Sequence, residues 1–236
     1  MDSSHSHVIT KRKWRALLSL AQSGNAEAQW EIGYCHEFGA VDKSVTVLAS
    51  VDLLEAKRWY ERSAALGYSA AQGALSTLLS SGEATSRDYA GAIYWAKKAI
   101  AQGDASAAHN LGTIYRDQKK PAMAFRCYQR AVSMGANDSL LQVGLCYLFG
   151  FGTKQNFAEA QRCLEQLIAS GAATICQRSK EDALYWMAIL SLVGIGGKKK
   201  SIGHVRHMLE SANADDDHEQ ANEILNILGK SKYLSA

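Results

Sequence analysis

"AKRWYERSAALG", residues 56–67, is the stretch of sequence that decides the fold, because it returns along the chain in altered form. Its small and apolar side chains recur three or four residues apart, which is the spacing of one face of an α-helix. The glycine at its end suits the left-handed residue that closes many helices. The stretch therefore predicts an amphipathic helix that ends near Gly67.

Four further segments align with this one when their closing residues are superimposed, at residues 92–103, 124–135, 160–171 and, more divergently, 202–213. A second helical pattern precedes each of the five. Its shared feature is a large apolar residue followed by a small one: Ile32-Gly33, Leu75-Ser76, Leu111-Gly112, Val143-Gly144 and Met187-Ala188. The small residue allows another helix to approach closely, and the large one fills the space beside it. The chain is therefore predicted to form helical hairpins.

The hairpin pattern returns at intervals that are typical of repeat proteins. The closing glycines at positions 24, 67, 103, 135 and 171 lie about 32 to 43 residues apart, and two helices per unit of that length indicate an α-solenoid. The 236 residues include 1 proline and 19 glycines, so helices are rarely interrupted but often ended. No alternating strand pattern bounded by turn residues is evident. These features predict an all-α fold.

Two parts of the chain resemble Sel1-like repeats, which are relatives of the tetratricopeptide repeat. They are "NAEAQWEIGYCHEFG…EAKRWYERSAALG" and "LQVGLCYLFGFGTKQNFAEAQRCLEQLIASG". The pattern of that family is A-x-x-x-L-G-x-x-Y-x-x-G-x-G followed by A-x-x-W-Y-x-x-A-A-x-x-G. The resemblance extends from about Trp14 to Leu228. It implies an all-α solenoid of about five helix-hairpin repeats with N- and C-terminal capping helices.

The repeat boundaries predict one solenoid domain over residues 11–236, after a disordered N-terminal tail at residues 1–10. It consists of a half-repeat at 11–24, repeats at about 25–67, 68–103, 104–135, 136–171 and 172–213, and a C-terminal cap at 214–236. Two loops depart from the family pattern. Repeat one has an insertion, "AVDKSVTVLASVDL", between its helices, and repeat three has "RDQKKPAM" in place of the G-x-G loop.

The first helix of each repeat carries a second stripe of residues, which begins two positions before the large core residue. It consists of Trp30, Tyr34 and Phe38 in repeat one; Gly73, Thr77 and Ser81; His109, Thr113 and Asp117; Leu141, Leu145 and Phe149; and Tyr185, Ile189 and Val193. The resemblance to tetratricopeptide-like stacks implies that this stripe lines a concave groove. Its two ends are aromatic or aliphatic, whereas its middle is small and polar.

Apolar side chains in rows do not stay exposed to water unless something covers them, and aromatic anchors flanked by polar residues are typical of protein-binding sites. We therefore predict a partner-binding groove. Its candidate residues are Trp30, Tyr34, Glu37, Phe38, His109, Thr113, Arg116, Leu141, Leu145, Phe149, Tyr185 and Ile189. The alternative is that a tight superhelix buries part of this stripe against the adjacent repeat as ordinary core.

The sequence contains no recognisable catalytic or metal motif. His204, His207 and Glu210 share one helical face, but they lie in a divergent repeat helix with no fourth ligand. The five cysteines have neither CxxC spacing nor a disulfide framework, and we expect reduced thiols. A net charge of +3, with Arg116 alone beside the stripe, argues against nucleic-acid binding. We expect no cofactor and no metal.

Some cysteine-rich Sel1-like proteins are penicillin-binding or β-lactamase-like. Those proteins carry regularly spaced cysteine pairs, which this sequence lacks. The resemblance instead implies a non-catalytic interaction protein that holds a protein partner, with no nucleic acid, small-molecule substrate or membrane insertion. We expect it in the cytoplasm, because no signal-length or membrane-length apolar run occurs. Two roles fit: a bacterial immunity protein that neutralises a cognate, possibly secreted toxin or effector, or a signalling or assembly adaptor.

Overall fold

The computed structural model describes residues 7–171, 175–194, 201–214 and 218–230. Within those ranges the chain forms twelve α-helices, which confirms the predicted all-α solenoid class. They are α1 Lys11–Gln22, α2 Ala26–Phe38, α3 Leu53–Ala65, α4 Ser69–Ser81, α5 Tyr89–Ala101, α6 Ala105–Asp117, α7 Pro121–Ser133, α8 Ser139–Phe149, α9 Phe157–Ala169, α10 Gln177–Val193, α11 Ile202–Ala212 and α12 Glu219–Lys230.

The helices follow the order of the predicted repeats, with α2 to α11 as five successive pairs and with α1 and α12 at the two ends. Polar side chains fix where helices begin: the Asp52 carboxylate accepts the N–H groups of Leu54 and Glu55, each at 3.0 Å, at the start of α3. Glycines with positive φ follow most second helices, as at Gly67 (φ 90°). Gly171 is an exception to the predicted pattern, because its φ is not positive.

The large residue of each large–small pair is buried, as predicted. Ile32 and Leu75 are 0% exposed, and Leu111, Val143 and Met187 are at most 9% exposed. The small residue of each pair allows the two helices of a hairpin to approach closely. A Cβ built on Gly144 of α8, for example, would lie 3.4 Å from the Ala160 carbonyl oxygen of α9. The repeat pattern therefore encodes packing within each hairpin.

Three short strands, β1 His7–Val8, β2 Ala40–Val41 and β3 Val47–Ala49, form a small sheet in the order β1-β2-β3. β1 is parallel to β2, and β2 is antiparallel to β3. The expectation that strands are absent is wrong here, because elements of two or three residues are too short to show alternation. The insertion in repeat one supplies β2 and β3.

The prediction of a disordered tail at residues 1–10 is wrong for residues 7–10. His7 N–H donates to the Gly39 carbonyl and Ile9 N–H donates to the Val41 carbonyl, both at 2.9 Å. Ile9 is 3% exposed and belongs to the apolar core beside α1 and α2. Burial of Ile9 and pairing with the insertion order this segment. Residues 1–6 of the predicted tail and 231–236 of the predicted cap lie outside the described residues.

The β2–β3 turn is held by one carboxylate. Asp42 accepts the N–H groups of Ser44 and Thr46, each at 2.8 Å, and forms an ion pair of 3.1 Å with Lys11 of α1. The pKa of Asp42 is lowered below its ordinary value, chiefly by the hydrogen bond from the Thr46 backbone. Val45 in this turn has a φ of 60°, a conformation that β-branched residues rarely adopt.

The chain divides into two compact units, Met1–Ile114 and Tyr115–Ala236. In the first, apolar clusters form around Ile32 and around Leu75. In the second, they form around Leu164 and around Leu209. The single domain expected over residues 11–236 stays a prediction. No described helix combines the length and hydrophobicity needed to span a bilayer.

Candidate functional site

The first unit carries a continuous line of aromatic rings on and beside α2, which we call the aromatic row: Tyr68, Trp30, Tyr34 and Phe38. The ring centroids are 5.8 Å apart for Trp30 and Tyr68, 6.0 Å for Trp30 and Tyr34, and 4.6 Å for Tyr34 and Phe38. The imidazole of His7 meets Tyr34 edge-on at 5.8 Å. Four-residue spacing on one helix therefore brings the three predicted residues into ring contact.

The aromatic row is neither sealed nor fully exposed. Trp30 and Tyr34 are half-buried, and Phe38 is 40% exposed. Trp30 packs against the apolar cluster of Leu75, which lies within the same unit. The row therefore combines a packed inner edge with a part that solvent reaches, and the binding role of its residues stays a prediction.

Glu37, the predicted polar neighbour of the row, has a partner inside the unit. Its carboxylate accepts the hydroxyl of Tyr60 at 2.5 Å, and Tyr60 is 0% exposed. Burial raises the pKa of Glu37 above its ordinary value, although the Tyr60 hydrogen bond acts in the opposite direction. Glu37 therefore joins α2 to α3 from the edge of the row.

The polar middle of the stripe is also engaged internally. His109 and Thr113 are half-buried on α6, and Asn110 beside them donates its side-chain amide to the Thr77 hydroxyl of α4 at 3.0 Å. Thr77 in turn donates to the Gly73 carbonyl at 3.2 Å. Small polar residues here connect neighbouring helices, whereas the aromatic row offers apolar surface.

The second unit contains a hollow of about 510 Å³, which we call the α7–α8 hollow. The residues that line it are Arg116, Lys119, Pro121, Ala124, Tyr128, Gln142, Leu145, Cys146, Phe149 and Phe151. Its volume is within the range of ligand-binding pockets in proteins. The sequence predicted three of these residues as partner-binding ones: Arg116, Leu145 and Phe149.

The hollow is shaped by a close contact between two loops of the second unit. Gly152 has a φ of 73°, and a Cβ there would overlap the backbone of Pro121. Phe149 and Phe151 lie just before Gly152, with ring centroids 5.7 Å apart, and the ring of Phe149 also lies 5.4 Å from that of Trp186. The glycine turn therefore sets an aromatic rim beside the start of α7.

The charged groups that line the hollow are both cationic. Arg116 forms an ion pair of 3.3 Å with Asp117, and Lys119 lies just beyond the end of α6. None of the lining residues is acidic. Cys146 is 8% exposed, and burial raises the pKa of its thiol to about 11, so it is a neutral wall rather than a nucleophile at neutral pH.

The other predicted site residues of the second unit do not line the hollow. Leu141 is 6% exposed and belongs to the apolar core around Leu164, so the prediction that it faces a partner is corrected: α9 and α10 cover it. Tyr185 is half-buried between Trp186 (5.4 Å) and His218 (4.9 Å). Ile189 is half-buried on the same helix.

Sequence reasoning missed Tyr68 and His7 at the aromatic row, and Lys119 and Phe151 at the hollow. Phe151 and Lys119 lie in the loops after α8 and α6, outside the helical stripe on which the prediction rested. The replacement of the repeat-three loop by "RDQKKPAM" was the available signal for Lys119, because that loop departs from the family pattern.

The described part of the chain brings together no group of three or more His, Cys, Asp or Glu side chains suited to a metal ion. His204, His207 and Glu210 are each exposed on α11. All five cysteines lie in the described part of the chain and none forms a disulfide; Cys176 is exposed, and Cys35 and Cys146 are buried.

Four segments of the chain, residues 26–68, 69–104, 105–135 and 137–171, match the family model of the Sel1 repeat. A comparison with curated protein sequences gives no match. The structure is similar to that of c5321, a protective antigen present in uropathogenic Escherichia coli strains that displays an SLR fold. The two share 24% identity over 90% of this chain with a TM-score of 0.74, and this chain spans 43% of the length of c5321.

Two further solved structures are similar. A Sel1 repeat protein from Oxalobacter formigenes has 22% identity and a TM-score of 0.71, over 93% of this chain and 86% of that one. A Sel1 repeat protein from Klebsiella pneumoniae subsp. pneumoniae has 19% identity and a TM-score of 0.53, over 92% and 99%. These likenesses show a shared fold.

Proposed function

Because the chain belongs to the Sel1 repeat family, whose members generally mediate protein–protein interaction, we propose that it is a non-catalytic module that binds a protein partner. The candidate contact surfaces are the aromatic row of the first unit and, taken by itself, the α7–α8 hollow of the second unit. The observation that carries this proposal is the aromatic row, in which rings in mutual contact end in Phe38 at 40% exposure.

An aromatic row of this kind supports protein binding for two physical reasons. Rings held by their neighbours lose little side-chain entropy when a partner covers them, so more of the burial energy stabilises the complex. Aromatic residues are also the side chains that most often dominate binding energy.

Within this class we propose an immunity role, in which the chain blocks one cognate toxin or effector. The alternative is a signalling or assembly adaptor. An immunity protein needs one tight partner, and aromatic rings that are already held in place by their neighbours, as in the aromatic row, suit this need. An adaptor would hold several partners weakly. The number and affinity of captured proteins therefore separate the two roles.

The experiment is affinity capture from a lysate of the source organism with the full chain as bait. We expect Trp30→Ala combined with Tyr34→Ala to abolish capture while the circular-dichroism spectrum stays helical. Tyr94→Ala is the matched control, because Tyr94 is 51% exposed on α5, away from the stripe, and contacts Lys98. Capture that the double variant leaves unchanged would refute the proposed function.

One stoichiometric partner that resists washing would support the immunity role. Several partners in substoichiometric amounts would favour the adaptor. Assays of β-lactam acylation and hydrolysis test the remaining enzymatic alternative, and we expect no activity in either.

A further inference from the structure

We propose that the α7–α8 hollow receives a peptide segment of the partner in which an acidic residue lies next to a leucine or an aromatic residue. This proposal rests on the proposed function, since it names the chemistry of the segment that the module would hold.

The apolar requirement follows from the walls of the hollow. Leu145, Phe149 and Phe151 line it together with the neutral thiol of Cys146. Phe149 is 47% exposed and Phe151 is 60% exposed, so large apolar surface remains for a ligand to cover. A leucine or aromatic side chain buried there would stabilise the complex by removing apolar surface from water.

The acidic requirement follows from charge complementarity. Arg116 and Lys119 line the hollow, and no acidic residue does. Asp117 pairs with Arg116 at 3.3 Å, whereas Lys119 forms no ion pair with a carboxylate among the described residues. A carboxylate beside an apolar side chain would therefore meet Lys119 when that side chain enters the hollow.

The location of Lys119 is not explained by helix capping alone. Cations near the end of α6 are favoured by the helix dipole, and this accounts for Arg116 in the last turn. Lys119, however, has a φ of 58°, a left-handed conformation that is unfavourable for a residue with a side chain. In four other hairpins the residue directly after the first helix is a glycine with a positive φ: Gly39, Gly82, Gly150 and Gly194. The third hairpin instead uses a lysine one residue later, at the rim of the hollow.

The occupant is a peptide rather than a small molecule, because the apolar wall continues onto the open surface at Phe149 and Phe151. The half-buried amide of Gln142 lines the same hollow and provides a donor and an acceptor for a peptide backbone. The aromatic row of the first unit is flanked by Glu31 and Glu37, so it lacks the cationic character that selects an acidic segment.

The test is selection from a random phage-displayed peptide library on the immobilised full chain, followed by affinity measurement with the selected synthetic peptides. We expect the enriched peptides to share an acidic residue adjacent to Leu, Phe, Tyr or Trp. Lys119→Glu should weaken their binding about tenfold, because it replaces attraction with repulsion. Phe149→Ala should weaken it about tenfold or more.

Two controls keep the result specific. Lys97→Glu makes the same charge change at an exposed position of α5 and should leave peptide binding unchanged. Raising the salt concentration should weaken binding to the wild-type chain more than to Lys119→Glu.

Three outcomes would overturn the proposal: no enrichment of any peptide, enriched peptides without an acidic residue, or affinities that Lys119→Glu and Phe149→Ala do not change. These outcomes are independent of the test of the proposed function. Capture that depends on Trp30 and Tyr34 would survive them, and a peptide-binding hollow would survive the loss of that capture.

Discussion

The ring of Tyr60 lies directly against the Cα of Gly33, so a Cβ built on Gly33 would fall 2.7 Å from both Cδ1 and Cε1 of the ring. Tyr60 is 0% exposed on α3, and its hydroxyl reaches Glu37 one turn further along α2. Because Gly33, the small residue of the large–small pair, has no side chain, it leaves the space that the ring of Tyr60 occupies. This contact locks the first hairpin.

Gly33→Ala should lower the free energy of unfolding by about 1–3 kcal/mol, because the added methyl group must displace a buried ring. Urea denaturation followed by circular dichroism measures the change. Gly203→Ala is the matched control: no atom lies within 4 Å of a Cβ at that helical position. Its stability should not fall below that of the wild type. Equal losses in the two variants would contradict this account of Gly33.

The stability of the first unit should depend on the ionisation of Glu37. Burial raises its pKa in the folded state, so this carboxyl contributes most below its unfolded pKa of roughly 4.3. The contribution is lost as the pH rises through the folded pKa. Tyr60→Phe removes the hydrogen bond that lowers the pKa, and we expect a further rise in the pKa of Glu37 and a steeper loss of stability on the alkaline side.

NMR titration of the Glu37 side-chain carboxyl, together with denaturation at several pH values, measures this dependence. Glu37→Gln is the control, since an amide that does not titrate should flatten the profile over the same range. A Glu37 pKa that falls in Tyr60→Phe would show that the hydroxyl does not stabilise the carboxylate.

Leu141 and Phe149 belong to the same predicted stripe, but their substitution should have different consequences. Leu141→Ala should destabilise the chain by about 2–5 kcal/mol, because Leu141 is 6% exposed within the core. Phe149→Ala should cost about 1 kcal/mol, because Phe149 is 47% exposed. Chemical denaturation of the two variants tests this. Similar losses would mean that Phe149 is a core residue rather than part of a binding surface.

Lys119→Gly should stabilise the chain while it weakens peptide binding. Release of about 1–2 kcal/mol of left-handed strain exceeds the 0.4–1 kcal/mol that glycine loses through unfolded-state entropy. We therefore expect a gain of up to about 1 kcal/mol in thermal or chemical denaturation. Lys120→Gly, which alters the neighbouring exposed lysine, should give no such gain. A loss of stability in Lys119→Gly would show that its side chain has a structural partner.

The repeat architecture could be predicted because its signals are local and occur several times. One hairpin is predicted from three local signals: the helical spacing at residues 56–67, the glycine that ends this stretch, and the pair Ile32-Gly33 on the preceding helix. Further copies along the chain show the same signals. The helices α3 and α2 accordingly lie where the pattern placed them. Divergence in one copy cannot hide a pattern that the others retain.

The site could be predicted only in part, because accessibility depends on neighbouring elements. Leu141 and Leu145 have the same stripe spacing, yet α9 and α10 cover Leu141 while Leu145 lines the hollow. The sheet was missed because β1 is separated from β2 and β3 by two helices and each strand is very short. The hollow was missed because Lys119 and Phe151 come from loops, whose conformation has no periodic signal.

The pairing of β1 with β2 ties the inserted segment of the first repeat to residues that precede every repeat. The first repeat therefore depends on a segment outside it: without His7–Ile9, β2 would present an unpaired strand edge, and the buried Ala40 would lose a neighbour that covers it. The opening segment and the insertion form one structural piece.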